Sequence, residues 1–203
     1  MTTRGHHGLL LPSAGGGGYS GWNPADKDAN TVLSESNFRA TAASNFAQLV
    51  RSVAGKTDGK WYVEFVLGIS TTGVGVIAVG AANESASLAQ FVGQNQNGWG
   101  HWGQTPRRWH NSVATAYGTA FANNDVIGMA LDLPNNSVWW SRNGEWQGGG
   151  NPAAGTGAAF TSLSGTIYLA ASCWASSNNV LVRTDPATQA SSAPASFTAG
   201  WPD

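Results

Sequence analysis

Apolar and polar residues alternate with a period of two along much of this 203-residue chain, the pattern of strands that bury one face. From Val126 to Leu133, the side chains of Ile127, Met129, Leu131 and Leu133 fall on one face and the small Gly128 and Ala130 on the other, which predicts a buried strand. Pro134, Asn135 and Asn136 then supply a fixed φ and tolerance of the left-handed region, so Ser137 to Ser141 should return antiparallel. Asn143-Gly144 predicts a second, primed turn, followed by a short strand from Glu145 to Gln147. The adjacent Trp139 and Trp140 must send their rings to opposite faces of the sheet, one of them into the core.

The same alternation continues upstream. Thr31 to Thr41 reads as a hairpin around Ser34 to Asn37, and Gln48 to Val53 as a short strand. Lys60 to Leu67 places Trp61, Val63, Phe65 and Leu67 inward, with Tyr62, Glu64 and Val66 on the other face. Val74 to Gly80 is apolar on both faces and suits the middle of a sheet covered on both sides. Trp22 to Asn30 reads as turn-rich, Gly148 to Gly157 as a loop, and Pro186 to Asp203 as an extended wrap pinned by Phe197 and Trp201. No window shows the three- and four-residue spacing of an amphipathic helix. Short strands with regular turn signals therefore predict an all-β fold, an antiparallel two-sheet β-sandwich over residues 22–203. Residues 1–21 differ: Leu9, Leu10 and Leu11 form an apolar plug before the glycine strap Gly15 to Gly18, which reads as a flexible assembly arm.

Composition narrows the function classes. A net charge of −1 removes the usual electrostatic route to nucleic acid. No apolar run approaches the ~18 residues of a membrane span. Three consecutive leucines make too short an apolar core for a secretory signal. Cys173, the one cysteine, lies in the apolar run Tyr168 to Trp174 and reads as a buried, inert thiol, and nothing calls for an oxidising compartment.

The chain lacks Gly-x-Ser-x-Gly, Gly-x-x-x-x-Gly-Lys and His-Glu-x-x-His. His6 and His7 sit in the tail without further ligands, so no metal or other cofactor is expected. Glu64, Glu84, Asp132 and Glu145 show no pattern that pairs two of them for glycoside hydrolysis, so no enzyme is expected. Asp132 reads as a turn-stabilising acceptor, and His101 as a residue that fills or rims a loop. One segment concentrates binding chemistry: Asn97 to His110 carries three tryptophans, two histidines and an arginine pair in a glycine-interrupted stretch. Trp99 reads as core, which leaves Trp102, Arg107, Arg108, Trp109 and His110 as candidate binding residues, joined by Trp139; aromatic and arginine side chains anchor protein interfaces, and aromatic faces also suit sugars.

The segments KWYVEFV, VGVIAVG, NGWGHWG, DVIGMALDLPNNSVWWSRNGEW and YLAAS occur in the order of the landmarks of the SPRY domain, which the chain resembles from Gly59 to Arg183. WNPADKDANTVLSESNFRAT and APASFTAGW further resemble the flanks of SPRY proteins of bacteriophages and prophages. Two departures are the Trp139-Trp140 pair, where the family has a Phe-Tyr-like pair, and the long 149–160 loop. The resemblance implies a bent, concanavalin-like sandwich that binds through its loops, usually to proteins, without a catalytic centre. It also implies a virion accessory protein, decorating head, neck or tail or associated with a fibre. Such a protein would attach to other virion proteins through its arm, as a homo-oligomer or lattice. The alternative is a module that recognises a host-surface glycan or protein through the 97–110 region.

Overall fold

The computed structural model describes residues 18–45, 48–70 and 77–203. The Leu9 to Leu11 plug, the His6-His7 pair and the start of the Val74 to Gly80 run lie outside the described residues. The strands in chain order are β1 (Trp22–Lys27), β2 (Thr31–Ser34), β3 (Arg39–Ala42), β4 (Leu49–Lys56) and β5 (Lys60–Gly68). They continue with β6 (Ile77–Ala82), β7 (Gly98–Trp102), β8 (Arg107–His110), β9 (Val113–Ala116) and β10 (Val126–Asp132). The last are β11 (Ser137–Arg142), β12 (Glu145–Trp146), β13 (Ile167–Cys173), β14 (Asn179–Arg183) and β15 (Thr198–Ala199).

They form two sheets. One runs β1-β4-β13-β6-β7-β8-β9; the other runs β12-β11-β10-β5-β14-β3-β2, and β15 adds to β5 in parallel. All other pairings among these strands are antiparallel. β6 lies in the middle of its sheet and is buried at all six residues, which is why its sequence is apolar on both faces.

The core sits between the sheets. The β5–β10–β11 register sets Val63, Met129 and Trp140 side by side, all facing inward against Val79, Trp99 and Leu169 of the opposite sheet. The next row, Tyr62, Ala130 and Trp139, points to the outer face, yet it too is buried, because the carboxyl-terminal segment lays Phe197 over it. The wrap is therefore a second layer of burial. Each large ring removed from water contributes about 1.5–3 kcal/mol, so the extra layer adds the burial of Trp139, 1% exposed, to that of the core rings Trp22, Trp99, Trp140 and Trp201. The turns follow the residue signals: Asn143 and Gly144 both have positive φ, as a primed turn needs, and Asp132 accepts from the Asn135 main chain and pairs with Lys60 at 2.8 Å.

Two readings of the sequence are corrected. Trp22 to Lys27 is a strand rather than a run of turns; its pairing with β4 shifts register between Trp22 and Lys27, an irregularity that accommodates Pro24 on an edge strand. The 97–110 segment is a β-hairpin within a sheet rather than a set of loops. The described chain is hydrogen-bonded to the body from its first residue, with Gly18 and Ser20 joined to Asp203 and Trp201. Cys173 is buried, which pushes its thiol up to about 12.

Candidate functional site

The β7–β8 hairpin divides the candidate residues between two faces. Its register pairs Trp102 with Arg107, Gly100 with Trp109, His101 with Arg108 and Trp99 with His110. Directly opposed residues share a face and successive residues alternate, so Trp102, Arg107 and Trp109 face outward while Trp99, His101, Arg108 and His110 face the interior side. Trp139, on the outer face of the other sheet, is 1% exposed and donates its indole N–H to Thr156 O at 2.8 Å, so it presents no ring to solvent.

On the outward face, Trp102 and Trp109 stack at 4.6 Å between ring centroids with 24° between planes. Phe91 lies 5.8 Å from Trp102 and 6.1 Å from Trp109, and Trp174 adds a fourth ring 6.0 Å from Phe91. Both indole N–H groups of Trp102 and Trp109 are covered, so these two rings offer mainly carbon to solvent. Glycines set it in place. A Cβ on Gly100 would lie 2.4 Å from the Val92 carbonyl, and Gly93, at φ +92°, would meet the Trp109 carbonyl at 2.1 Å. Residues 91–93 therefore lie flat on the hairpin, which brings Phe91 against the tryptophans. Sequence pattern alone does not bring Phe91 and Trp174 to this site, because no periodic signal links them to the hairpin.

The interior face is built differently. His101 is buried among Phe121 at 4.7 Å, Tyr117 at 5.1 Å and Trp140 at 5.6 Å. Burial, weakly opposed by the Tyr117 main chain, lowers its pKa to about 3, so the ring is neutral. His110 stacks on Trp99 at 5.1 Å and holds Nδ1 2.8 Å from the Gly98 carbonyl, a packing role. Arg108 donates to the Ala159 carbonyl and lies 5.5 Å over the Phe160 ring. Clefts open on either side of it. One, of about 370 Å³, is lined by His110, Val113, Thr115, Phe160 and Ser162; the other, of about 460 Å³, by Ala116, Tyr117, Gly148 and Gly157. Burial raises the Tyr117 hydroxyl to about 12, and it donates to Gln147 O at 3.2 Å, fixing the wall of the second cleft.

Charge marks this corner of the sandwich. Arg39, Arg51, Arg142 and Arg183 each have a carboxylate partner, whereas Arg107 and Arg108 have none among the described residues. Neither cleft beside Arg108 is lined by an acidic residue. Two of the four carboxylates weighed for hydrolysis are placed otherwise: Asp132 serves Lys60 and a turn, and the fully buried Glu64 accepts from the main chain of Ala190 and Ser191. Among the described residues no three His, Cys, Asp or Glu side chains form a group that could hold a metal ion, and no helix is long and apolar enough to cross a membrane.

Comparison with known proteins agrees with the architecture. The chain is 27% identical over 155 residues to Ran-binding protein 9 of Xenopus tropicalis, covering 72% of this chain and 26% of that protein. It is 37% identical over 95 residues to the ATP-dependent RNA helicase DDX1 of Xenopus laevis, covering 47% of this chain and 12% of that protein. The chain thus spans about a quarter or less of either relative's length. The crystal structure of the SPRY domain of human HERC1 superposes with a TM-score of 0.63 at 16% identity, covering 80% of this chain and 96% of that one. The SPRY domain family model matches residues 60–188, from the first residue of β5 to just past β14 and including the whole hairpin, so the chain belongs to the SPRY domain family.

Proposed function

We propose that this chain is a non-catalytic SPRY binding module that recognises a protein partner through the outward face of the β7–β8 hairpin. The observation that carries the reading is the raft of Trp102, Trp109, Phe91 and Trp174 beside Arg107, an arginine without a carboxylate partner among the described residues. Partly exposed tryptophan and arginine are the residue types on which protein interfaces concentrate their energy. The engagement of Glu64, Asp125 and Asp132 by main-chain or cationic partners speaks against a pair of reacting carboxylates.

The test is selection of a random peptide library on the immobilised full-length protein. Enriched sequences should lose binding to Trp109→Ala and to Arg107→Ala. Enrichment indifferent to both substitutions would overturn the assignment. The stacked indole faces would also suit a sugar ring; glycan binding that disappears in Trp102→Ala would favour that reading.

Attachment to a bacteriophage particle, and hence a virion location, rests on the Leu9 to Leu11 arm and on the flanking sequence alone. The relatives matched above are frog proteins and lend it no support. Co-sedimentation of the full-length chain with particles, lost on deleting residues 1–21, is the outcome that would establish it.

A further inference from the structure

We infer that the free edge of β9 takes up an extended acidic segment of a protein partner as an added β-strand. The inference rests on the reading of the chain as a binding module and specifies the form of what it binds.

Among the described residues, β9 ends its sheet and pairs with β8 alone. The Tyr117 N–H donates to Pro106 O at 3.0 Å, and the register then makes Thr115–Arg108 and Val113–His110 the hydrogen-bonded pairs. Ala114 and Ala116 must therefore direct their N–H and C=O groups away from β8, to the open side. Edge strands are commonly blunted by proline, lysine, a bulge or a covering segment. β9 carries no proline, lysine or register shift, and Val113 beside its turn is 65% exposed.

The surroundings specify the occupant. A strand laid along β9 alternates its side chains between the two faces. Those on the outer face would lie over the small Ala114 and Ala116, within reach of Trp109 and Arg107 one strand further in. Those on the inner face would enter the clefts on either side of Arg108, between β9 and residues 157–162. Both faces thus meet an arginine without a carboxylate partner, so charge complementarity favours Asp or Glu in the segment. Strand addition supplies main-chain affinity, and alternate pockets supply selectivity.

The experiment uses the peptides selected on the full-length chain and measures their affinity by titration. Selected sequences should be enriched in Asp or Glu. N-methylation at alternate residues should abolish binding in one parity and leave it nearly unchanged in the other, since only every second N–H faces β9. Ala116→Pro should weaken binding about tenfold, while its N–H, which faces the open edge, costs the fold no internal hydrogen bond. Peptides that lose binding to Trp109→Ala yet tolerate N-methylation in both parities would overturn strand addition and leave the binding-module reading standing. A library that yields no binder would overturn both. The methylated peptides keep the test independent of whether the proline variant folds.

Discussion

Trp102 and Trp109 stack at 4.6 Å across the β7–β8 hairpin although neither is the other's paired residue. They are diagonal neighbours on the outward face, Trp102 opposite Arg107 and Trp109 opposite Gly100, and the missing side chain at Gly100 lets the Val92 carbonyl approach the strand and bring Phe91 against both rings. Both rings are only partly buried. Trp102→Ala and Trp109→Ala should each leave a folded protein, with a smaller loss of stability than the ~3–5 kcal/mol of a buried tryptophan. Trp140→Ala, in the core, should show that full loss. Urea denaturation of the three variants checks the ranking.

Gly100→Ala should be the more damaging change at the hairpin. The added methyl would sit 2.4 Å from the Val92 carbonyl, so residues 91–93 must lift and carry Phe91 off the tryptophans. A loss of about 1–3 kcal/mol is expected, together with a red shift of tryptophan fluorescence as the raft opens to water.

Glu64 fastens the carboxyl-terminal wrap. Its carboxylate is fully buried and accepts from the Ala190 N–H at 2.6 Å, the Ser191 N–H at 2.8 Å and the Tyr62 hydroxyl at 3.0 Å, with Arg183 at 3.7 Å. Burial and this carboxylate together raise the Tyr62 hydroxyl well above its ordinary pKa. Glu64→Ala orphans several buried donors at once, each costing about 1–3 kcal/mol. Amide exchange should accelerate first between residues 186 and 203, before the core strands are affected.

Acid should destabilise the fold in two stages. His101 has its folded pKa lowered from 6.5 to about 3, so the folded state holds it neutral while the unfolded chain protonates it. Its contribution is complete above about 6.5 and is lost as pH falls towards 3, at up to about 1.4 kcal/mol per pH unit. Asp125 and Asp132 are lowered despite burial, by Arg142 with Ala122 and Asn143, and by Lys60 with Asn135. Their contribution is present above the ordinary carboxylate range and is lost progressively as pH falls below about 4 towards their lowered folded values. Urea midpoints measured against pH should decline from 6.5 downward in the wild type, and His101→Leu should flatten the curve between 6.5 and 4.

Much of this fold can be read from local pattern. The strand from Val126, the primed turn at Asn143-Gly144 and the inward set of Lys60 to Leu67 all follow from period-two alternation plus turn chemistry, because a one-residue slip would expose every apolar side chain. β1 was hidden because Pro24, Asp26 and Asp28 carry turn signals, while its pairing with β4 is decided by tertiary contacts, Arg51 with Asp26 among them. The hairpin of 98–110 was legible as chemistry but not as geometry. Glycines that suggest a loop are there to let residues 91–93 cross the sheet, and that crossing is a long-range fact. Trp139 shows the same limit: alternation puts it on the outer face, and only the distant Phe197 and Thr156 make that face buried.

Indole N–H resonances report directly on whether a partner binds at the β7–β8–β9 edge. In ¹⁵N-labelled full-length protein titrated with a library-selected peptide, the Trp102 and Trp109 signals should shift while those of Trp22, Trp140 and Trp201 stay in place. Shifts that spare Trp102 and Trp109 and instead cluster around the separate groove between Phe38, Leu181 and Thr188 would place the partner there and rule out binding at the hairpin.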